Sequence, residues 1–134
     1  MITNNEAQTG IVAWLKDNTT ITDLHANYPA EIREGMWQGE DFEYPNIRVS
    51  CEITPVASGC TGPDTCEMTI SCFSLEKSSL QSQAHAGTIA NELHNKGFTK
   101  SGVKYGAIRV LKTPRAILED SIWQASVQVT MNVS

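Results

Sequence analysis

Ile47-Arg48-Val49-Ser50-Cys51-Glu52-Ile53 and, further along, Glu67-Met68-Thr69-Ile70-Ser71-Cys72 alternate apolar and polar side chains residue by residue. A period of two marks a strand with one face buried and the other wet. Ile47, Val49, Cys51 and Ile53 therefore share one face, and Met68, Ile70 and Cys72 share the matching one. The two runs are predicted to pair as an antiparallel hairpin. Between them, Thr54-Pro55-Val56-Ala57-Ser58-Gly59-Cys60-Thr61-Gly62-Pro63-Asp64 is too long for a tight turn and rich in turn formers, so it is expected to project from the body. Its Gly59 and Gly62 do not make a phosphate cradle. No Lys-Ser/Thr pair follows them, and no helix opens there to lend its amides and dipole.

On the N-terminal side, Thr3 and Glu6 form a capping box, with Ile2 and Ala7 at staple positions. At helical spacing Ala7, Ile11, Trp14 and Leu15 fall on one stripe, which predicts an amphipathic helix over 4–16 laid against the sheet. Asp17-Asn18-Thr19-Thr20 ends it, and an irregular link through Ile21, Leu24 and Tyr28 closes at Pro29. Residues 31–38 are strand-like but interrupted by Gly35, so a short or bulged strand is expected. Gly39-Glu40-Asp41-Phe42-Glu43-Tyr44-Pro45 then reads as an exposed loop. It is either a solvated turn with one aromatic tucked beneath it or a contact surface for another chain anchored by Trp37, Phe42 and Tyr44.

On the C-terminal side, Ser78-x-x-Gln81 reads as a second capping box, and Gly97 as the left-handed residue that closes the helix, with Phe98 folding back. Ala86, Ile89, Ala90 and Leu93 form its buried stripe, and Ala84, Ala86, Gly87 and Ala90 are small enough to let a sheet approach. A Gly-containing basic link, 100–106, leads to a strand over 107–112, which Pro114 ends. The last strand is expected over 121–133, with Trp123, Ala125, Val127, Val129 and Met131 inward and free to extend past its neighbours. These elements, in the order α-β-β-β-α-β-β, predict one α+β domain over 1–134. Its small, mostly antiparallel sheet carries two helices on one face.

The chain has 134 residues, 40% of them hydrophobic and 19% charged, enough for a single core and no bilayer span. The start, Met1-Ile2-Thr3-Asn4-Asn5-Glu6, has neither the basic region nor the apolar stretch of an export signal, which predicts a soluble protein in the cytoplasm. A formal charge of −5 without a Lys/Arg cluster argues against gripping a phosphate backbone. The four cysteines, Cys51, Cys60, Cys66 and Cys72, contain no CxxC pair, which argues against structural zinc. Cys51 and Cys72 fall on the buried parity of strands and read as core. Cys60 and Cys66 flank the Thr61-Gly62-Pro63-Asp64 turn and could bridge, although a reducing compartment opposes it. His85 and His94 point to opposite sides of one helix, which excludes a metal shared by that pair alone, and read as solvated. Neither a nucleophile elbow, a His-Glu-x-x-His run, a Walker loop nor a dinucleotide fingerprint is present, and Glu119-Asp120 reads as an exposed turn. No catalytic residue, cofactor or metal is assigned.

The order of elements resembles the tail terminator, or tail-completion and neck-terminator, proteins of long-tailed bacteriophages. The resemblance rests on the helix ending at Leu15, the Tyr44-Pro45-Asn46-Ile47-Arg48-Val49 run into a central strand, and the long loop before Met68. It continues through the small-residue helix over 80–93 and the final alternating strand around Trp123 and Met131. It implies a structural virion protein, not an enzyme, assembled in the host cytoplasm into the tail or neck. It also implies a ring, usually a hexamer, that sits on the tail tube, stops its polymerisation and offers a docking face to the head connector. The implied partners are copies of the chain, the major tail tube protein and a head-completion or stopper protein, with no membrane and no sequence-specific nucleic acid. Contact candidates are Trp37, Phe42, Tyr44, Pro55, Val56, Gly59, Gly62 and Asp64, together with the terminal strand. A head-completion or neck ring of similar fold is the alternative, since fold does not fix role. A small cytosolic enzyme or ligand-binding domain is the alternative from another class, and its mark would be a compact cavity lined by His85 or the cysteines.

Overall fold

A computed structural model describes residues 2–35, 43–55 and 62–134. The two alternating runs pair as expected: β2 (Asn46–Thr54) and β3 (Asp64–Ser74) are antiparallel, with Ile47 opposite Cys72, Val49 opposite Ile70 and Cys51 opposite Met68. One face of this hairpin is core and the other carries Arg48, Ser50, Glu67, Thr69 and Ser71. The sheet grows outward from it in the order β1-β2-β3-β8-β5-β4, with β6 and β7 also paired to β8. The fold is α+β, with the helices on one side of an eight-stranded, mostly antiparallel sheet.

Helix α1 (Asn4–Asp17) starts at the expected cap, Thr3 Oγ1 accepting from the Glu6 amide at 3.1 Å. Ala7, Ile11 and Leu15 are fully buried. Trp14 is only half-buried and stacks on Phe98 with ring centroids 4.8 Å apart. The irregular link expected after it is instead a one-turn helix, α2 (Thr19–Thr22), because Asn18 Oδ1 accepts from the Ile21 amide and caps it. The first strand is confined to β1 (Ile32–Glu34) and pairs parallel to β2. Past its end, α1 replaces it: the Cys51 and Ile53 amides donate to Gln8 Oε1 and Asn4 Oδ1 at 3.0 and 2.9 Å. Side chains of the helix thus satisfy backbone donors that a longer strand would have taken.

Helix α3 (Leu80–Leu93) packs on β3 and β8 through Ala86, Ile89, Ala90 and Leu93, as its stripe predicted. Its ends differ from expectation. The Ser78-Gln81 box does not form; Gln81 Oε1 instead accepts from Ser74 Oγ at 2.6 Å and ties the helix to the end of β3. At the other end the left-handed residue is Asn95 (φ 62), not Gly97. Asn can take that conformation because its short polar side chain tolerates it. Ala84 is exposed and nothing lies within 4 Å of a Cβ built on Gly87, so only Ala86 and Ala90 of the small residues serve close approach.

The basic link is a hairpin, β4 (Phe98–Lys100) and β5 (Val103–Tyr105), turned by Ser101 and Gly102, both at positive φ. Two residues at positive φ match the right-handed twist of paired strands. The strand expected over 107–112 pairs only at β6 (Arg109–Val110), and a further strand, β7 (Ala116–Glu119), precedes β8 (Ile122–Val133). β8 keeps the predicted parity, with Ala125, Val127, Val129 and Met131 buried and Trp123 half-buried. It is not a free edge reaching past its neighbours. β3 pairs along one side, from Asp64 opposite Val133 to Ser74 opposite Trp123, while β5, β6 and β7 share the other.

The sheet curls enough for α1 to meet both of its ends. Tyr105, in β5, donates its hydroxyl to the Ala7 carbonyl at 2.7 Å from within the core. Gly10 makes room for that phenol, since a Cβ there would sit 2.2 Å from the Tyr105 oxygen. Lys100 at the end of β4 pairs with Asp17 at the end of α1.

Candidate functional site

The contact candidates divide by position. Trp37, Phe42, Val56 and Gly59 lie outside the described residues, as does Cys60, the suggested partner of Cys66. Pro55, Gly62 and Asp64 come together at the base of the long loop, where with Ile2 and Val133 they border an open groove of about 410 Å³. Gly62 holds φ 136, a backbone geometry that side chains disfavour. Tyr44 is half-buried at the start of β2. It borders a smaller groove, about 160 Å³, with Arg48, Phe73 and Glu119, and the Arg48 guanidinium lies 4.2 Å over the Phe73 ring.

Cys51 and Cys66 meet across neighbouring strands. Cys66 is buried, and its Sγ lies 2.9 Å from Sγ of Cys51 on the neighbouring strand. A hydrogen bond from Cys66 favours the Cys51 thiolate and lowers its pKa against the opposing effect of burial, whereas Cys66 itself is pushed up. Cys72 fills core as expected, and burial raises its thiol far above the usual range.

His85 is not solvated. It is buried beneath α2 and the following turn, with Nδ1 2.9 Å from the Tyr28 hydroxyl. Desolvation, with a smaller contribution from His25, lowers its pKa to about 4, and burial holds the phenol protonated. With the ring neutral, the phenol donates to Nδ1, an assignment that follows from the pairing. A neutral buried imidazole against a protonated phenol leaves neither group accessible for proton transfer to a ligand. His94 is exposed, and its Nδ1 accepts from the Val110 amide at 3.3 Å, steering the chain out of β6. That histidine borders a groove of about 530 Å³ between α3 and Val110, Leu111 and Lys112. Its walls bring no nucleophile against a base and no carboxylate pair. Among the described residues, no three His, Cys, Asp or Glu side chains converge as a metal site requires.

Surface apolar residues remain. Leu75, Leu80, Ile117 and Leu118 are all more than half exposed. Leu118 faces Trp123, Trp123 faces Ser74, and Leu75 and Leu80 follow Ser74 on the way into α3. Sequence reasoning missed Ile117 and Leu118 because it assigned no element between Pro114 and the Glu119-Asp120 turn; two apolar residues side by side there were the available signal.

A virion chain has this fold. In a solved structure described as the virion of a native gene transfer agent particle, one chain superposes with a TM-score of 0.75, over 94% of this chain and 92% of that one, at 11% sequence identity. No family model matches the chain, and neither does any curated protein. At that identity the likeness establishes a common architecture for the gene transfer agent chain and this one, helices on one face of a curled sheet.

Proposed function

We propose that this chain is a structural virion subunit of the tail-terminator type. It forms a ring, a hexamer, on the head-proximal end of the tail tube, stops the tube from polymerising further and presents a docking face to the head connector. The observation that carries this reading is the gene transfer agent virion chain, which shares the fold over more than nine-tenths of both lengths. The surface supports it. Among the described residues the grooves carry no catalytic set, while Leu75, Leu80, Ile117 and Leu118 are exposed, as a part that works by contact requires. In this reading the loop spanning Pro55, Val56, Gly59, Gly62 and Asp64 supplies one of the two ring faces, toward tube or connector, and the segment from Trp37 through Phe42 to Tyr44 lateral contacts.

The test is to add purified protein separately to growing tail tubes and to DNA-filled heads, and to image the products by electron microscopy. Tubes of limited length, each capped at one end by a ring, support the proposal. Preferential binding to heads assigns the chain to head completion instead, and binding to neither, with no ring formed, removes the virion reading.

A further inference from the structure

The two ends of the sheet are shielded by α1: Gln8 and Asn4 cover β2 beyond β1, while Trp14 and Asp17 hold β4 through Phe98 and Lys100. β7 has no such cover among the described residues. Its backbone polarity can be read from its turn. Asp120 and Ser121 have φ 51 and 65, the geometry of a two-residue turn that makes Glu119 and Ile122 a hydrogen-bonded closing pair. Bonded and non-bonded pairs alternate from there, so Ile117 bonds to Gln124 while the N–H and C=O groups of Ala116 and Leu118 point away from β8. An uncovered edge with two exposed apolar side chains, Ile117 at 60% and Leu118 at 55%, is a template for another strand.

The charges on this edge say which strand. Arg115, Ile117 and Glu119 share one face, all are exposed, and neither Arg115 nor Glu119 has an ion-pair partner among the described residues. Outward-facing groups must meet outward-facing groups, so an antiparallel pairing of two such edges about a two-fold axis has few registers. With Ile117 on the axis, Ala116 bonds to Leu118 of the partner subunit, and Arg115 stands opposite the partner's Glu119 at both ends. Placing Leu118 on the axis sets Ile117 against the partner's Glu119 and leaves Arg115 without a carboxylate. Pro114, lacking an N–H, ends the ladder just beyond the ion pair. We infer that the free protein pairs with a second copy of itself through antiparallel β7 edges centred on Ile117. A ring of identical subunits repeats a heterologous contact, whereas this one is isologous. The pairing therefore belongs to the unassembled subunit, covers its apolar edge before assembly, and stands independently of the tail-terminator reading.

Sedimentation or native mass spectrometry across a concentration series tests it, with circular dichroism to verify folding. Arg115→Glu and Glu119→Arg alone should each weaken the dimer by about tenfold or more, and the double reversal should restore it. Ile117→Cys should give a covalent dimer on mild oxidation with diamide, because a non-hydrogen-bonded pair on the axis brings two Cβ atoms within disulfide reach. Thr113→Cys, off the paired edge, should not. A monomer at all concentrations, or an oligomer indifferent to the reversals, overturns the inference. So does failure of Ile117→Cys to cross-link beyond the Thr113→Cys level, which remains readable even if a charge reversal unfolds the chain.

Discussion

The Tyr28 hydroxyl lies 2.9 Å from Nδ1 of His85, joining the turn after α2 to the middle of α3 across 57 positions of sequence. The contact is buried, and it is what fixes the α2 segment over the helix layer. Its imidazole titrates at about 4 in the fold, below the ordinary 6.5, chiefly because burial penalises the charged ring. Between those values the unfolded chain holds more protons, so stability rises with pH across that window. The contribution is complete above about 6.5 and is lost as the pH falls to about 4. Its size is on the order of 2 kcal/mol, since each pKa unit corresponds to about 1.4 kcal/mol and part of the shift is relieved by solvent near the site. Denaturant melts of the wild type and of His85→Gln between pH 4 and 7 should show a steeper acid loss in the wild type. Parallel curves would assign the acid sensitivity elsewhere.

Gly10 and Tyr105 form a second coupled pair. Alanine on a helix usually gains about 1 kcal/mol over glycine. Here the added Cβ meets the Tyr105 oxygen at 2.2 Å and the Lys100 carbonyl oxygen at 3.1 Å. Overpacking of this kind costs about 1–3 kcal/mol, so Gly10→Ala should be destabilising on balance. Tyr105→Phe alone should cost about 1 kcal/mol through the lost bond to the Ala7 carbonyl. In the double variant the closest collision is gone, and the two losses should sum to less than their parts. Strict additivity in a double-mutant cycle would mean that the phenol moves aside freely.

The paired thiols make a chemical prediction. Cys51 is half-buried and its thiolate is favoured by the Cys66 hydrogen bond, while Cys66 and Cys72 are buried with raised pKa values. Iodoacetamide with peptide-level mass analysis should therefore modify Cys51 ahead of Cys66 and Cys72 in the folded protein. In Cys66→Ala the pH midpoint of Cys51 alkylation should rise, because its donor is gone. An unchanged midpoint would show that the contact does not tune this thiol.

Periodicity revealed the parts of this fold that rest on side-chain alternation or helical stripes. Ile47 through Ile53, Met68 through Cys72 and Ala125 through Met131 each sit on the face their parity demanded, as do Ile11 and Leu15 on α1. What stayed hidden depends on contacts between distant residues. Nothing local says that Gln8 and Asn4 will finish a strand edge, or that Gly10 will receive a phenol from position 105. Short strands were lost for another reason: β4, β5 and β7 are too brief to show a period, and the turns at Ser101-Gly102 and Asp120-Ser121 that define their hairpins show only in the structure. His85 was misplaced because its hydroxyl partner, Tyr28, stands in a segment with no pattern of its own. The exposure of Leu75, Leu80, Ile117 and Leu118 follows from tertiary packing, which a sequence does not display.

β8 lies inside the sheet, with β3 along one side and β5, β6 and β7 along the other. Four strands are therefore aligned on residues that the ribosome supplies after all of them. A nascent chain halted before Ile122 can form the β2-β3 and β4-β5 pairs but has no strand to join them or to pair with β6 and β7. Translation products that stop before β8 therefore lack the one strand that joins the two halves of the sheet.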